Sequence, residues 1–407
     1  METSTISTSA TVIPKIISVD DHVVEPPDLW SSRLPERFRE RGPRIVRDKG
    51  GMSPTTYKWE SSDDGAVADV WYYDGLRSPL MRLSAAVGLG ELNFGYTTFD
   101  EIHPGCWQQK ERLQAMDDNH MDASICFPNT LPRFCGQTFM EAQDKELSLY
   151  CVKAYNDWMI EEWCGGDGVG KLIPLTLVPL WDVDLAVEEV RRCAALGSFA
   201  IAFSENPHPL GLPSIHSGGW DPLFAACEET GTVVCMHIGS SSKMPQTTPD
   251  APFIVSSTLT FQNAMGSLID FVFSGTLERF PNLTIAYSEG QVGWMPYVME
   301  RMDKLWEERS DNSFGTWLKN PPTSYLEGRV YGCIFDDECG LAARDRIGMD
   351  KITFEVDFPH ADSTYPHTLA IATKICDDAG LNNEEIYALM RGNAIRGFGL
   401  ERFGITA

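Results

Sequence analysis

The chain has 407 residues and a formal net charge of −25, from 33 Lys+Arg against 58 Asp+Glu. Hydrophobic residues make up 43% and charged residues 22%, a globular rather than a disordered composition. The acidity excludes a nucleic-acid binder, which needs a basic footprint, and disfavours anionic membranes; an anionic substrate would need local cations or a metal. The length allows two or three domains, or one large α/β barrel with insertions. The cysteine count of 11 is odd, no pair has C-x-x-C spacing, and Cys126, Cys235 and Cys333 lie in apolar runs. They read as small buried hydrophobes of a reducing compartment. Met1 to Thr11 is Ser/Thr-rich, without the basic start or apolar stretch of a signal peptide, and no run approaches a membrane span, so a cytoplasmic protein is expected.

In chain order, short β-rich runs fall at Ile16–Asp20, Ala123–Phe127, Leu172–Val178, Phe199–Phe203, Thr232–Met236, Leu283–Tyr287, Val330–Phe335 and Ile352–Val356. Each is apolar and rich in Val, Ile and Phe, as for strands buried on both faces. Helical patterns alternate with them at Gln109–Asp117, Lys145–Trp163, Asp184–Ala195, Pro222–Glu229, Gln262–Phe273, Met295–Arg309, Leu341–Asp345, Thr368–Asp378 and Glu384–Arg391, the last capped by Asn382 or Asn383. Eight strands alternating with helices predict an α/β fold, a (β/α)8 TIM barrel, with an open doubly wound sheet as the rival. No strand–GxGxxG–helix fingerprint is present; Gly88-Leu89-Gly90 lies in an irregular region. Residues 23–105 are too long for an ordinary loop. They read as an insertion over the C-terminal face of a single barrel spanning 15–407, behind a flexible tail at 1–14.

Catalytic groups of such a barrel sit at the C-terminal ends of its strands. There the sequence places Asp20-Asp21-His22-Val23-Val24-Glu25, Ser204-Glu205, His237, Ser288-Glu289-Gly290, Asp336-Asp337 and Glu355-Val356-Asp357-Phe358-Pro359-His360. Asp20 and His22, two apart on an extended segment, point to the same side. His237 and Asp357 follow buried runs with no evident reason to be solvated. Buried unpaired carboxylates are costly, and a bound cation offsets that cost. Imidazole with carboxylate suits Zn, Fe, Mn or Co. Singly, each residue has a plainer reading as a core histidine, a cap or a loop carboxylate. Jointly, one ligand group from each of strands one, five, six and eight predicts a metal site. Glu205 and Asp336–Asp337 read as structural or solvated, and Arg301 as structural. Lys243 reads as a solvated loop lysine with a weak claim on a substrate carboxylate, and Trp294 with Pro296 as helix packing. His103, His120, His208, His216 and His367 have no evident partners.

Through Val19-Asp20-Asp21-His22-Val23-Val24-Glu25-Pro26, Met236-His237-Ile238-Gly239, Ser288-Glu289-Gly290, Gly293-Trp294-Met295-Pro296, Asp357-Phe358-Pro359-His360 and Asn393-Ala394-Ile395-Arg396, the chain resembles the amidohydrolase-related family. This is the branch of the amidohydrolase superfamily that includes aminocarboxymuconate-semialdehyde decarboxylase. The resemblance implies a barrel with a metal in its mouth. It carries ligand roles onto Asp20, His22, His237 and Asp357, with Asp357 also orienting or deprotonating a metal-bound water. Three departures stand out, the first being Asp20 where the first strand-one ligand is often Glu or His. A His usual after strand six is replaced by Glu289, and Glu25 adds a carboxylate three residues past His22. The set Asp20, His22, Glu25, His237, Glu289 and Asp357 is rich in hard oxygen ligands, fits two ions, and favours Fe or Mn over a lone Zn.

The reading placed first is a dinuclear non-heme Fe or Fe/Mn monooxygenase that hydroxylates an aliphatic carbon of a small organic acid, a chemistry known in a few relatives. It would use O2 and an external electron donor, since no flavin or nicotinamide motif is visible. The alternatives are a hydrolase of C–N or C–O bonds, with Asp357 as general base and His360 or His22 polarising a carbonyl, and a non-oxidative decarboxylase. A non-catalytic partner subunit is the remaining reading. A homo-oligomer, or a complex with a homologous subunit, is the family-based expectation.

Overall fold

The computed structural model describes residues 11–53, 58–87, 89, 94–308 and 318–406. Eight parallel strand segments appear in the expected order: β1 (Ile16–Val23), β2 (Met121–Pro128), β3 (Leu172–Ile173 and Thr176–Leu177), β4 (Ala200–Ser204), β5 (Val233–His237), β6 (Ile285–Ser288), β7 (Val330–Ile334) and β8 (Ile352–Phe354). They form two sheets. One runs β1–β2–first piece of β3, the other second piece of β3–β4–β5–β6–β7–β8, every pair parallel. The break within β3 falls at Pro174, which has no N–H to give a ladder. At the other seam the chain beyond β8 bonds to β1. The Asp357 N–H donates to the Asp20 carbonyl at 2.9 Å and the His22 N–H to the Phe358 carbonyl at 2.6 Å.

Every strand residue but Asp122 is buried, as runs covered on both faces require. β8 stops at Phe354 rather than Val356, because the chain turns so that Asp357 takes a left-handed backbone, φ 58°. Helices follow the strands near their expected bounds. The stretch expected as one helix to Trp163 is Lys145–Trp158 followed by a π turn, Met159–Trp163. Asn382 caps Asn383–Tyr387 through a capping box, and a π turn, Ala388–Gly392, leads into Asn393–Phe398. The helix expected at Leu341–Asp345 is two short helices, Glu338–Ala342 and Arg344–Ile347. Asp337 starts the first, accepting from the Gly340 N–H at 2.7 Å and, across the loop, from Val292 and Gly293. Arg309, expected at the end of the helix Met295–Glu308, lies outside the described residues.

The segment 23–105 contains a four-stranded antiparallel sheet built from Arg44–Met52, Trp59–Ser61, Ala66–Tyr73 and Leu76–Pro79. Asp74 and Gly75 form its tight hairpin, at φ 46° and 81°. Asp48 ties three strands together, accepting from Trp59 Nε1, Ser61 Oγ and the Tyr72 hydroxyl at 2.6–3.0 Å. Those bonds hold its carboxyl down at about 2. The segment's end reaches the β8 loop: the Ala86 N–H donates to the Pro359 carbonyl at 2.8 Å. Gly88, Gly90 and residues 1–10 of the expected tail lie outside the described residues, whereas Ile13 is buried and its carbonyl meets His120 Nε2 at 3.0 Å. All 11 cysteines are free and only Cys339 is exposed. Among the described residues no helix is long and apolar enough to cross a membrane.

Candidate metal centre

β1 alternates, so Asp20 and His22 share one side and Asp21 takes the other. Asp21 accepts from Ser124 Oγ and from the Phe358 N–H, and stays outside the centre. His237 ends β5. Glu289 and Asp357 follow β6 and β8 on left-handed backbone, φ 56° and 58°. That conformation is costly for a residue with a Cβ and is typical of functional sites.

The two histidines are oriented alike. His22 Nδ1 lies 3.1 Å from the Pro128 carbonyl and His237 Nδ1 2.7 Å from the Ile238 carbonyl. Donating those N–H groups leaves each Nε2 lone pair free. The two Nε2 atoms face each other at 3.2 Å. Around them stand Asp20 at 3.6–3.8 Å, Glu289 at 3.5 Å from His237 Nε2, and Asp357 at 3.5 Å from His22 Nε2. His360 Nδ1 is 2.9 Å from Asp357 Oδ1, and its ring stacks on His22 at 3.8 Å. Phe134 stacks on His237 at 4.2 Å.

The electrostatics are those of a site made for a cation. All four carboxylate oxygens of Asp20 and Asp357 are buried without a hydrogen-bond partner. Burial, with neighbouring carboxylates adding to it, pushes both carboxyls well above their ordinary range. Burial and the nearby His360 and His237 push His22 well below its usual value. At His237, burial is outweighed by the charges of Glu289 and Asp20, and the imidazole is pushed up to about 9. A cation among these groups takes the place of that proton and satisfies the orphaned oxygens. Two overlapping sets have ligand atoms within 4.8 Å of one another: Asp20, His22, His237 and Glu289; and His22, Glu289, Asp357 and His360.

Five of the six expected ligands therefore converge, and His360 joins them. Glu25 does not. Its carboxylate is buried elsewhere, accepting from the N–H groups of Asn129, Thr130 and Leu131 and from Thr130 Oγ1 at 2.7–3.3 Å. It pins the loop after β2 and belongs to none of the converging ligand sets. Glu25→Ala is accordingly expected to leave metal content unchanged while lowering stability by about 1–3 kcal/mol through the freed amides. Elemental analysis and thermal melting of the purified variant check both halves.

Glu205 is structural, accepting from Ser241 and Asn263. Lys243 and Arg301 are exposed, and neither lines the central cavity. Trp294, expected only to pack its helix, does line it. Glu355 is marked in the sequence only as a strand-end residue without a role. It is fully buried two residues before Asp357, just past the end of β8. Nothing in the local sequence marks Phe134, which reaches His237 from the loop after β2. Over the centre lies a cavity of about 850 Å3, walled on one side by Phe134, Ile238, Trp294 and Phe335, lined also by Asp336, Asp337, Glu338 and Asp362, and touching the ligands at Glu289. Among the described residues no lysine or arginine lines it.

Parallel α/β architecture with imidazole and carboxylate groups gathered at strand ends defines a metal-binding enzyme site. A family model described as amidohydrolase matches residues 97–400, and the chain belongs to that family of metal-dependent enzymes. A gamma-resorcylate decarboxylase from Rhizobium sp. (strain MTP-10005) is 22% identical over 294 residues, 66% of this chain and 82% of the relative. Among solved structures, an amidohydrolase from Mycobacterium avium subsp. paratuberculosis K-10 is similar at a TM-score of 0.66 and 21% identity, over 96% of this chain and 100% of the other. A dihydroxybenzoic acid decarboxylase from Polaromonas sp. JS666, solved with bound manganese and the inhibitor 2-nitroresorcinol, is similar at a TM-score of 0.59 and 14% identity, over 96% and 98%. The likeness to these structures is one of fold.

Proposed function

We propose that the chain is a divalent-metal-dependent decarboxylase of a small organic acid, in which Asp20, His22, His237 and Asp357 hold the ion and the strands close into a (β/α)8 barrel under the 23–105 insertion. The observation that carries the reading is the cavity. It has an aromatic wall of Phe134, Trp294 and Phe335 and touches the ligand cluster at Glu289, but its described lining also carries Asp336, Asp337, Glu338 and Asp362 and no lysine or arginine, so an acid bound there depends on a cation in the centre. The activities of the decarboxylases named above support the same reaction class and displace hydroxylation from first place.

A bound divalent cation supplies Lewis acidity, holding the acid's oxygens and spreading negative charge. The chain's own groups do the rest. Phe134 and Trp294 give the substrate an apolar bed and keep water away. Loss of CO2 leaves an electron pair on carbon, which must take a proton. Asp357, with its Oδ1 2.9 Å from His360 Nδ1, is placed to hold and return that proton.

Glu289 favours a second reading. It stands where relatives usually have His and belongs to both overlapping ligand sets. A carboxylate so shared suits two Fe or Fe/Mn ions and the oxygenase chemistry that uses O2 and an external reductant. One experiment separates the two. Protein loaded in turn with Mn2+, Fe2+ and Zn2+ is given a panel of hydroxylated benzoic acids under argon and under air. CO2 release without O2 is expected. Turnover only with O2 and a reductant would overturn decarboxylation in favour of the second reading.

A further inference from the structure

Behind the histidines lies a second set of ligating atoms that the proposed reaction does not use. Glu355, on the chain just beyond β8, and Cys333, on β7, are fully buried, as is Asp20. One ligand atom from each lies within 4.8 Å of the others. That is about twice a metal–ligand bond of 2.0–2.3 Å. Cys333 Sγ is 2.6 Å from Glu355 Oε2, which also accepts the Glu289 N–H at 3.1 Å. Glu355 Oε1 and both Asp20 oxygens have no hydrogen-bond partner. A thiol is a weak donor and a poor reason to bury a carboxylate.

Charge makes the same point. Asp20, Glu289, Glu355 and Asp357 bring four carboxylates into one buried region. Among the described residues no lysine or arginine forms an ion pair with any of them. With the Cys333 thiolate the region offers five negative groups against the imidazoles of His22, His237 and His360, and one divalent cation offsets only two of them.

We infer that the centre holds a second, inner cation, ligated by Asp20, Glu355 and Cys333, with Asp20 shared between the two positions. The thiolate distinguishes this position from the all-oxygen-and-nitrogen sets nearer the cavity. It favours a borderline or soft divalent ion such as Zn2+, Co2+ or Fe2+ over Mg2+ or Ca2+. Glu355 also accepts the backbone N–H of Glu289, so filling the inner position fixes the backbone that presents Glu289 to the outer one.

The inference rests on the metal centre proposed above, and the test separates the two. The full chain is titrated with Co2+ alone, and bound cobalt, the near-ultraviolet thiolate-to-cobalt absorption band and the X-ray absorption fine structure are recorded. The expected result is more than one cobalt per chain, the thiolate band, and a Co–S distance of about 2.3 Å. Cys333→Ser is expected to lose the band and one cobalt. Glu355→Gln, which keeps the thiol, is expected to weaken cobalt binding and the band together. Cobalt bound through nitrogen and oxygen only would overturn the inner position and leave the outer centre standing. A band that persists in Cys333→Ser would also overturn it, by placing the sulfur elsewhere. No cobalt bound at all would overturn both.

Discussion

Asp357→Asn is expected to lower kcat by about 10²–10⁴, the usual range for loss of a general acid–base group, with a much smaller change in KM. Asparagine keeps the size and one oxygen donor but loses the charge and the capacity to carry a proton. The carboxylate is fully buried, with both oxygens unpartnered except by the facing imidazoles of His22 and His360. His237→Ala makes the contrast. Its Nε2 faces the His22 Nε2 at the middle of the cluster, so its loss is expected to remove the ion nearest the cavity and take activity with it. Steady-state kinetics beside elemental analysis of each variant separate the two effects. Activity of Asp357→Asn within tenfold of wild type would remove Asp357 from the proton-transferring role. Full metal occupancy in His237→Ala would dismiss the centre as drawn.

How much of this was legible in the sequence depended on the range of the interaction. Period-two alternation is local, so the shared side of Asp20 and His22 followed directly from their spacing. Strand ends are local too, and they picked out His237, Glu289 and Asp357. Glu25 fails for the same reason the others succeed. It stands three residues past His22, but β1 ends at Val23, and the chain has already turned towards amides that lie 104–106 residues away. Those partners, like Phe134 on His237, exist only through the tertiary fold. Glu355 and Cys333 were hidden differently. Each sits in a buried apolar run, where a carboxylate reads as a strand-end feature and a thiol as a small hydrophobe. Their meaning comes from lying next to Asp20. The Asp74-Gly75 hairpin, by contrast, carried a local signal, a two-residue Asp-Gly between β-rich runs, which could have resolved part of the insertion.

The largest stability effect is expected at Arg112, which no spacing argument singled out. This guanidinium is buried on the helix Gln109–Asp118, behind the seam between β1 and the chain beyond β8. It donates to the carbonyl of His22, to the Gly105 carbonyl at 2.8 Å and to Cys126 Sγ at 3.3 Å. It lies 4.2 Å from the centroid of the Phe358 ring. Its charge faces Asp21, whose carboxyl burial pushes up to about 6 even though Arg112 pulls it down. Arg112→Met fills the same space but strands two buried carbonyls and takes from Asp21 the charge that pulls its carboxyl down, while Asp21 keeps its bonds from Ser124 and Phe358. The expected loss is about 2–5 kcal/mol, chiefly from two buried carbonyls left without a donor. Arg112→Lys recovers only part of it, because an ammonium cannot reach the same acceptors as a planar fork. The pH dependence identifies the cause. Asp21 binds its proton more tightly folded than unfolded, so its contribution to stability is present below about pH 4 and is lost as pH rises towards 6. Without Arg112 that carboxyl rises further and the loss extends to higher pH. The deficit of Arg112→Met in denaturant melts should therefore already be present near pH 4, from the lost carbonyl bonds, and grow towards pH 8. A deficit independent of pH would mean that the guanidinium acts through packing and its carbonyl bonds alone.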